Sequence, residues 1–315
     1  DAARRGAPAA TPTPSAAAGG PPSFHEAGAP MYDWIVGHKI SLGIWLKVFV
    51  DFLNTHAQSF FDLVSTVLSA MVQGLTDGLI AVPPLMLIGL FALGAYLLHR
   101  SIGLALFIVA SLLLVVNLGY WEATIETLSL VIWSTAVCVL IGVPVGILGA
   151  HKPLFYEAIR PLLDLMQTIP TFVYLIPTLV LFGLGTVPGI ISTVIFALPA
   201  PIRLTQLGIA SVPPSLREAA LAYGATRTQM LFKVELPSAM PTILAGITQC
   251  IMLSLSMVVI AALVGADGLG KPVVRALNTV NIAMGFEAGL AIVILAVILD
   301  RVCKRPAPRK RKAAR

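Results

Sequence analysis

The chain has 315 residues, 57% of them hydrophobic and only 11% charged, with a mean hydropathy of +0.90. A soluble domain carries roughly 25% charged residues, so the composition excludes an ordinary globular enzyme and leaves a polytopic membrane protein with several spans. The net charge of +6 does not point to nucleic acid: eight of the 21 basic residues lie between Arg301 and Arg315, just past the last apolar run, as at a cytoplasmic end.

In chain order, residues 1–30 are rich in Ala, Pro and Gly with few large apolar side chains, which predicts a disordered tail. No basic segment followed by a short apolar core and a small-residue cleavage site stands here, so no signal peptide is expected. Residues 31–82 read as interfacial. Trp34, Trp45, Phe49 and Phe52 mix with Lys39, Lys47 and Asp51 over 32–58, while Asp62, Gln73 and Asp77 interrupt 59–81. A charge near the bilayer centre is costly, so 59–81 is expected to be a second interfacial or re-entrant helix. From Pro83 the apolar runs approach the ~20 residues that a span needs. They fall near 83–98 and 102–121, two N-terminal spans in the segment 83–121. Five more fall near 125–149, 166–185, 187–210, 238–265 and 285–302, within a core segment 122–303; a basic tail follows over 304–315. Pro170, Pro177, Pro188, Pro199 and Pro201 predict kinked or broken fourth and fifth spans, bordering either a pathway or ordinary packed helices.

Orientation follows from the short loops. Arg100, Lys152, Arg160, Arg203, Arg217, Arg227, Lys233 and the basic tail fall on one side, and only Lys271 and Arg275 on the other. The first side is therefore read as cytoplasmic, with the N-terminal region outside and the C-terminus inside.

Between the fifth and sixth apolar runs lies a polar, cationic loop, residues 211–237. Glu218, Ala219, Ala220 and Ala222 form a helical run of small residues that another protein surface could approach closely. Gly224 can take the positive φ that ends such a helix. After Ala225 a second short helix is expected, and Leu236-Pro237 suits the first turn of the next span. An amphipathic helix lying on the membrane surface is the plainer alternative, but it does not require this spacing of Gly and Leu-Pro.

Other motifs carry no chemistry. Gly265-Ala266-Asp267-Gly268-Leu269-Gly270-Lys271 approaches a phosphate-binding loop, but Pro272 replaces the required Ser or Thr and the loop falls outside. A turn after a long span, with Asp267 and Lys271 at the interface, is the better account. Cys138, Cys250 and Cys303 give neither a metal motif nor a disulfide framework. His99 and His151 are expected at cytoplasmic span ends as interfacial residues. No nucleophile has a base beside it. Apart from Glu126 at the start of the first, the runs 125–149, 166–185 and 238–265 hold no Asp, Glu, Lys, Arg or His, so a transporter built from them must draw its energy from a partner.

The spacing Glu218-Ala219-Ala220, Gly224, Leu236-Pro237 resembles the signature loop of bacterial ABC importer permeases. The phrases Arg160-Pro161-Leu162-Leu163-Asp164, Met166-Gln167-Thr168-Ile169-Pro170, Phe172-Val173-Tyr174-Leu175-Ile176-Pro177 and Met230-Leu231-Phe232-Lys233-Val234-Glu235-Leu236-Pro237 look like the glycine betaine/L-proline branch. The resemblance runs from about residue 60 to 301. It implies an all-α transmembrane bundle of about seven spans with the type I (MetI-like) permease fold, in a bacterial inner membrane. It implies a homodimer in contact with lipid, cytoplasmic ABC ATPase subunits that hold ATP and Mg, no cofactor on this chain, and an extracytoplasmic binding protein that captures the amine by cation–π attraction. Glu218, Ala219, Ala220, Gly224, Ala225, Leu236 and Pro237 are then the ATPase-coupling residues. Pro170, Phe172, Tyr174, Pro177, Ser254, Ser256 and Met257 are candidates for the pathway, against the alternative of helix packing. The cargo could equally be choline, carnitine, ectoine or an amino acid. A membrane scaffold recruiting a soluble NTPase is the reading from a different class.

Overall fold

The computed structural model describes residues 42–304, and among them every regular element is a helix. The expected tail 1–30 and most of the basic tail lie outside the described residues. The chain divides between Phe49 and Val50 into two units; apart from the opening of α1, the second is described below.

Helix α1, Leu42–Ile80, bends at Ala57, where φ is −120° and ψ 17°. From residue 42 on, the two interfacial pieces expected from the sequence are therefore one kinked helix, long and apolar enough to cross a membrane; residues 31–41 of the first lie outside the described residues. The physical reason is periodicity. Asp62, Gln73 and Asp77 are 11 and 15 residues apart from the first, which at about 100° per residue places them within a stripe about 60° wide. All three are exposed, while Val72 is buried against Leu130, Ile190, Ala261 and Ala266. Counted along the chain the polar residues break the run; around the helix they occupy one edge.

Helices α2 (Pro84–His99) and α3 (Ile102–Asn117) have 16 residues each, about 24 Å, shorter than a full hydrocarbon core. They pack through Leu87, Ile108 and Val115 into one apolar cluster with Trp121, Ile125 and Ile294. Arg100, in the left-handed conformation, turns the chain between them. Helix α4 runs Trp121–His151.

The fourth span, expected near 166–185 and kinked or broken by its prolines, is broken: α5 (Pro153–Thr168) and α6 (Thr171–Phe182) meet at 97°. Pro170 supplies the cause: it lacks an amide for α5, and it holds Ile169 extended at ψ 131°. The Tyr174 hydroxyl donates back across the bend to the Met166 carbonyl at 2.6 Å. The fifth span is two helices, α7 (Thr186–Ala197) and α8 (Pro199–Ala210), but Leu198 keeps helical torsions and the pair continues in one direction. Pro199 stands in the first turn of α8, where its missing amide costs least.

After a loop come α9 (Pro214–Ala222), α10 (Arg227–Met230), a π-helical turn Leu231–Glu235, and α11 (Leu236–Ala262). Helix α12 (Gly270–Thr279) and α13 (Ile282–Cys303) complete the described chain. Helix α8 packs chiefly between α4 and α11. A Cβ on Gly146 would lie 2.6 Å from Thr205 Cβ, and one on Gly246 2.9 Å from Leu204 Cβ. Only glycine allows the backbones this close. The turn between α11 and α12 is packed inward, with Leu269 fully buried and its amide donating to Thr127 Oγ1 at 2.8 Å. Lys271 pairs with Asp267. An amide consumed in this way is not free to bind phosphate.

Candidate functional site

The loop 211–237 hangs from α8 and α11, two helices packed on each other in the core. It is ordered by its own hydrogen bonds. Pro213 and Pro214 start α9, where missing amides are no loss. At the other end the Gly224 amide donates to Leu221 O at 2.9 Å and the Ala225 amide to Ala220 O at 3.0 Å. This pair of bonds with Gly224 at φ +75° is the Schellman arrangement that closes a helix. Thr226 then caps α10 reciprocally with Gln229, at 3.3 and 2.9 Å.

Pro237 differs from expectation. It does not begin a new helix after a break, because the chain stays helical from Arg227 to Ala262. A proline inside a helix loses one amide and collides with the carbonyl four residues back. The π turn accommodates this by widening the backbone just before the proline, with the Leu236 amide reaching Leu231 O, five residues back.

No residue of α9 is buried. Glu218 and Ala219 are exposed, Ala220 and Ala225 are half-buried, and Gly224 and Pro237 are exposed. Leu236 turns inward, packing against Ile209, Ala239 and Ile243. Around the small residues stand large apolar ones in the open: Leu216, Leu221, Phe232 and Tyr223, the last 93% exposed. An ordered, glycine-closed helix with an apolar rim has the features of a surface suited to another protein.

The seven pathway candidates do not share one environment. Pro170 makes the α5–α6 bend and Pro177 lies inside α6. Phe172 is exposed, whereas Tyr174 is buried with its hydroxyl already bonded. On α11, Ser254 and Met257 are fully buried and Ser256 faces the other way, bonded to Met252 O at 3.0 Å. Positions 254 and 256 are about 200° apart around the helix, so one wall cannot carry both. Ser254 Oγ has no hydrogen-bond partner among the described residues.

Sequence reasoning missed a cluster beneath the loop. Glu235, in the π turn, is the one buried charged residue among those described, at 3% exposure. Its Oε2 is 2.9 Å from His151 Nε2 at the end of α4, and its Oε1 3.2 Å from Arg217 Nε on α9. Arg217 Nη2 donates to Ile209 O at 2.6 Å, satisfying an end carbonyl of α8. His151, expected only as an interfacial residue, is thus a structural partner of the loop. The three residues lie far apart in sequence, and no spacing links them. The one available signal was a glutamate placed two residues before a proline at the edge of a span.

Comparison with known proteins finds the following similarities. The family model described as binding-protein-dependent transport system inner membrane component matches residues 142–312. The glycine betaine transport system permease protein OpuAB of Bacillus subtilis (strain 168) is 47% identical over 264 residues, 84% of this chain and 93% of the relative. The glycine betaine/proline betaine transport system permease protein ProW of Escherichia coli (strain K12) is 44% identical, over 84% of this chain and 75% of its own length. Among solved structures, an inward-facing conformation of the MetNI methionine ABC transporter contains a chain that is 26% identical with a TM-score of 0.51, covering 55% of this chain and 87% of that one.

Proposed function

This chain belongs to the family of binding-protein-dependent transport system inner membrane components, and from that premise we propose that it is the permease subunit of an ATP-driven importer for glycine betaine and related compatible solutes. It is a multi-pass membrane protein and a transport subunit, not itself the ATPase. The observation that carries the proposal is the loop 211–237: held rigidly by core helices, closed at Gly224 and apolar at its rim, it is built to be pushed. A second copy of the chain completes the permease. Cytoplasmic ATPase subunits hold ATP and Mg and seat α9; the extracytoplasmic binding protein delivers the solute to the opposite face. The loop and the C-terminus are cytoplasmic and the N-terminal region is outside, with the basic tail against anionic lipid.

In this reading, ATP-driven closure of the ATPases draws the two copies of α9 together. Because α8 is wedged between α4 and α11, the displacement passes to the spans, which rock between inward- and outward-facing states. Glu218, Ala219, Ala220 and Gly224 transmit force and touch no solute. The test is reconstitution in vesicles with the ATPase and binding protein encoded beside it. Glycine betaine uptake should require all three components and ATP, and this chain alone should hydrolyse none. A complete assembly that hydrolyses ATP and accumulates choline, carnitine, ectoine or an amino acid in place of betaine would overturn the cargo. One that accumulates nothing would favour the scaffold reading.

A further inference from the structure

Glu235 is buried at the base of the exposed loop, between the partly exposed His151 and Arg217, and the three residues join α4, α9 and the start of α11. We propose that Glu235 is the positioning residue of the coupling loop: its carboxylate clasps α9 to the end of α4, so that α9 and the spans move as one body. The proposal rests on the functional reading above and deepens it.

A carboxylate removed from water is unfavourable unless paired and hydrogen-bonded. Glu235 sits at the end of a π turn between a solvent-facing loop and a span, where an exposed orientation would have been easy to provide. Its side chain is nevertheless 4% exposed, while those of His151 and Arg217 remain 45% and 36% exposed. The two partners approach it from different elements, His151 from the last residue of α4 and Arg217 from the middle of α9. Arg217 also holds Ile209 O at the end of α8. One carboxylate therefore connects α4, α8, α9 and the start of α11.

The protons fit such a clasp. His151 Nδ1 faces the Ile147 carbonyl at 3.0 Å, and a carbonyl only accepts, so Nδ1 carries a hydrogen. Nε2 lies 2.9 Å from Glu235 Oε2, within hydrogen-bond distance. The Arg217 guanidinium adds charge at the other oxygen. Without this tie, α9 is attached to the core only through Val212 on one side and the α10–π segment on the other. Force applied to its exposed face would then bend those connections before moving α4.

The experiment uses the complete transporter (this chain, its ATPase and its binding protein) in vesicles, and reads glycine betaine imported per ATP hydrolysed. Glu235→Leu is expected to lower that ratio about tenfold while hydrolysis continues, the scale of losing a charge-assisted buried hydrogen bond. Glu235→Gln keeps one hydrogen bond to His151 and should lose less. Arg217→Leu with Glu235→Leu should be no worse than Glu235→Leu alone, because residues in one network are not additive. An unchanged ratio in an assembled Glu235→Leu complex overturns the clasp, and so does a parallel fall of hydrolysis and import, which a merely structural role produces. If Glu235→Leu does not assemble, Glu235→Gln and Arg217→Leu carry the same measurement with the same two outcomes. A wild-type complex that hydrolyses ATP and imports nothing is a different failure, that of the functional reading itself.

Discussion

At Gly224 a single torsion angle decides where α9 ends. A side chain there has open space, with no atom within 4 Å of an added Cβ, so the constraint is φ +75° alone. For an L-residue this region costs about 1–2 kcal/mol. Gly224→Leu is therefore expected to leave the spans intact but to fray the two closing bonds at Leu221 and Ala220. In vesicles the variant should hydrolyse ATP with reduced import; unchanged import per ATP would remove the loop from the coupling role. This residue was legible in the sequence because glycine has a backbone reason to stand where a helix ends. Glu235 was not, since its partners come from positions 151 and 217 and only folding brings them together. Tyr174 was legible as a position but not in its setting. The aromatic ring suggests a pathway wall, while the structure ties its hydroxyl to Met166 across the α5–α6 bend.

Among elements, α8 has the most constrained setting. Its contact with α4 at Gly146 leaves no volume for a methyl group: the added Cβ would fall 2.7 Å from the Ile202 carbonyl oxygen, which is backbone and cannot rotate away. Gly146→Ala should destabilise the purified permease by about 1–3 kcal/mol, the usual cost of overpacking. Gly89→Ala on α2, with nothing within 4 Å, should be neutral or stabilising by up to about 1 kcal/mol through helix propensity. The comparison is read as the shift in thermal unfolding midpoint. Equal shifts in the two variants would contradict the wedge. The sequence showed α8 as an apolar run with prolines at its start, but not that glycines on two other helices are cut to receive it. Close approach is a property of pairs of helices, and a single stretch of sequence contains only one member. Helix α1 gives the converse case: its polar residues were visible, and only their arrangement around the helix explains how it can still pack on the core.

For the whole molecule, the distribution of Lys and Arg assigns opposite faces to α9 and α12. Cys138 and Cys250 are fully buried and Cys303 is half-buried, so replacing Cys303 with Ser leaves a quiet background for labelling. Single cysteines at Leu221 and Leu277, both strongly exposed, should then react from opposite sides of sealed vesicles, Leu221→Cys from the cytoplasmic side only. Reaction of Leu221→Cys from outside would invert the orientation and separate α9 from ATP.

Apolar run lengths, proline positions, the basic end and the spacing around Gly224 determined by themselves that this is a helical membrane protein with an exposed polar loop closed at a glycine. These are local properties, set by hydropathy and backbone torsion along a few turns of chain. The tertiary structure alone decided that α5 and α6 turn through 97°, that α8 is gripped by glycines on α4 and α11, and that a buried glutamate ties the loop to the spans. The last two of these depend on atoms from segments distant in sequence occupying the same few ångströms. That proximity is created when helices pack, and no periodicity within one of them encodes it.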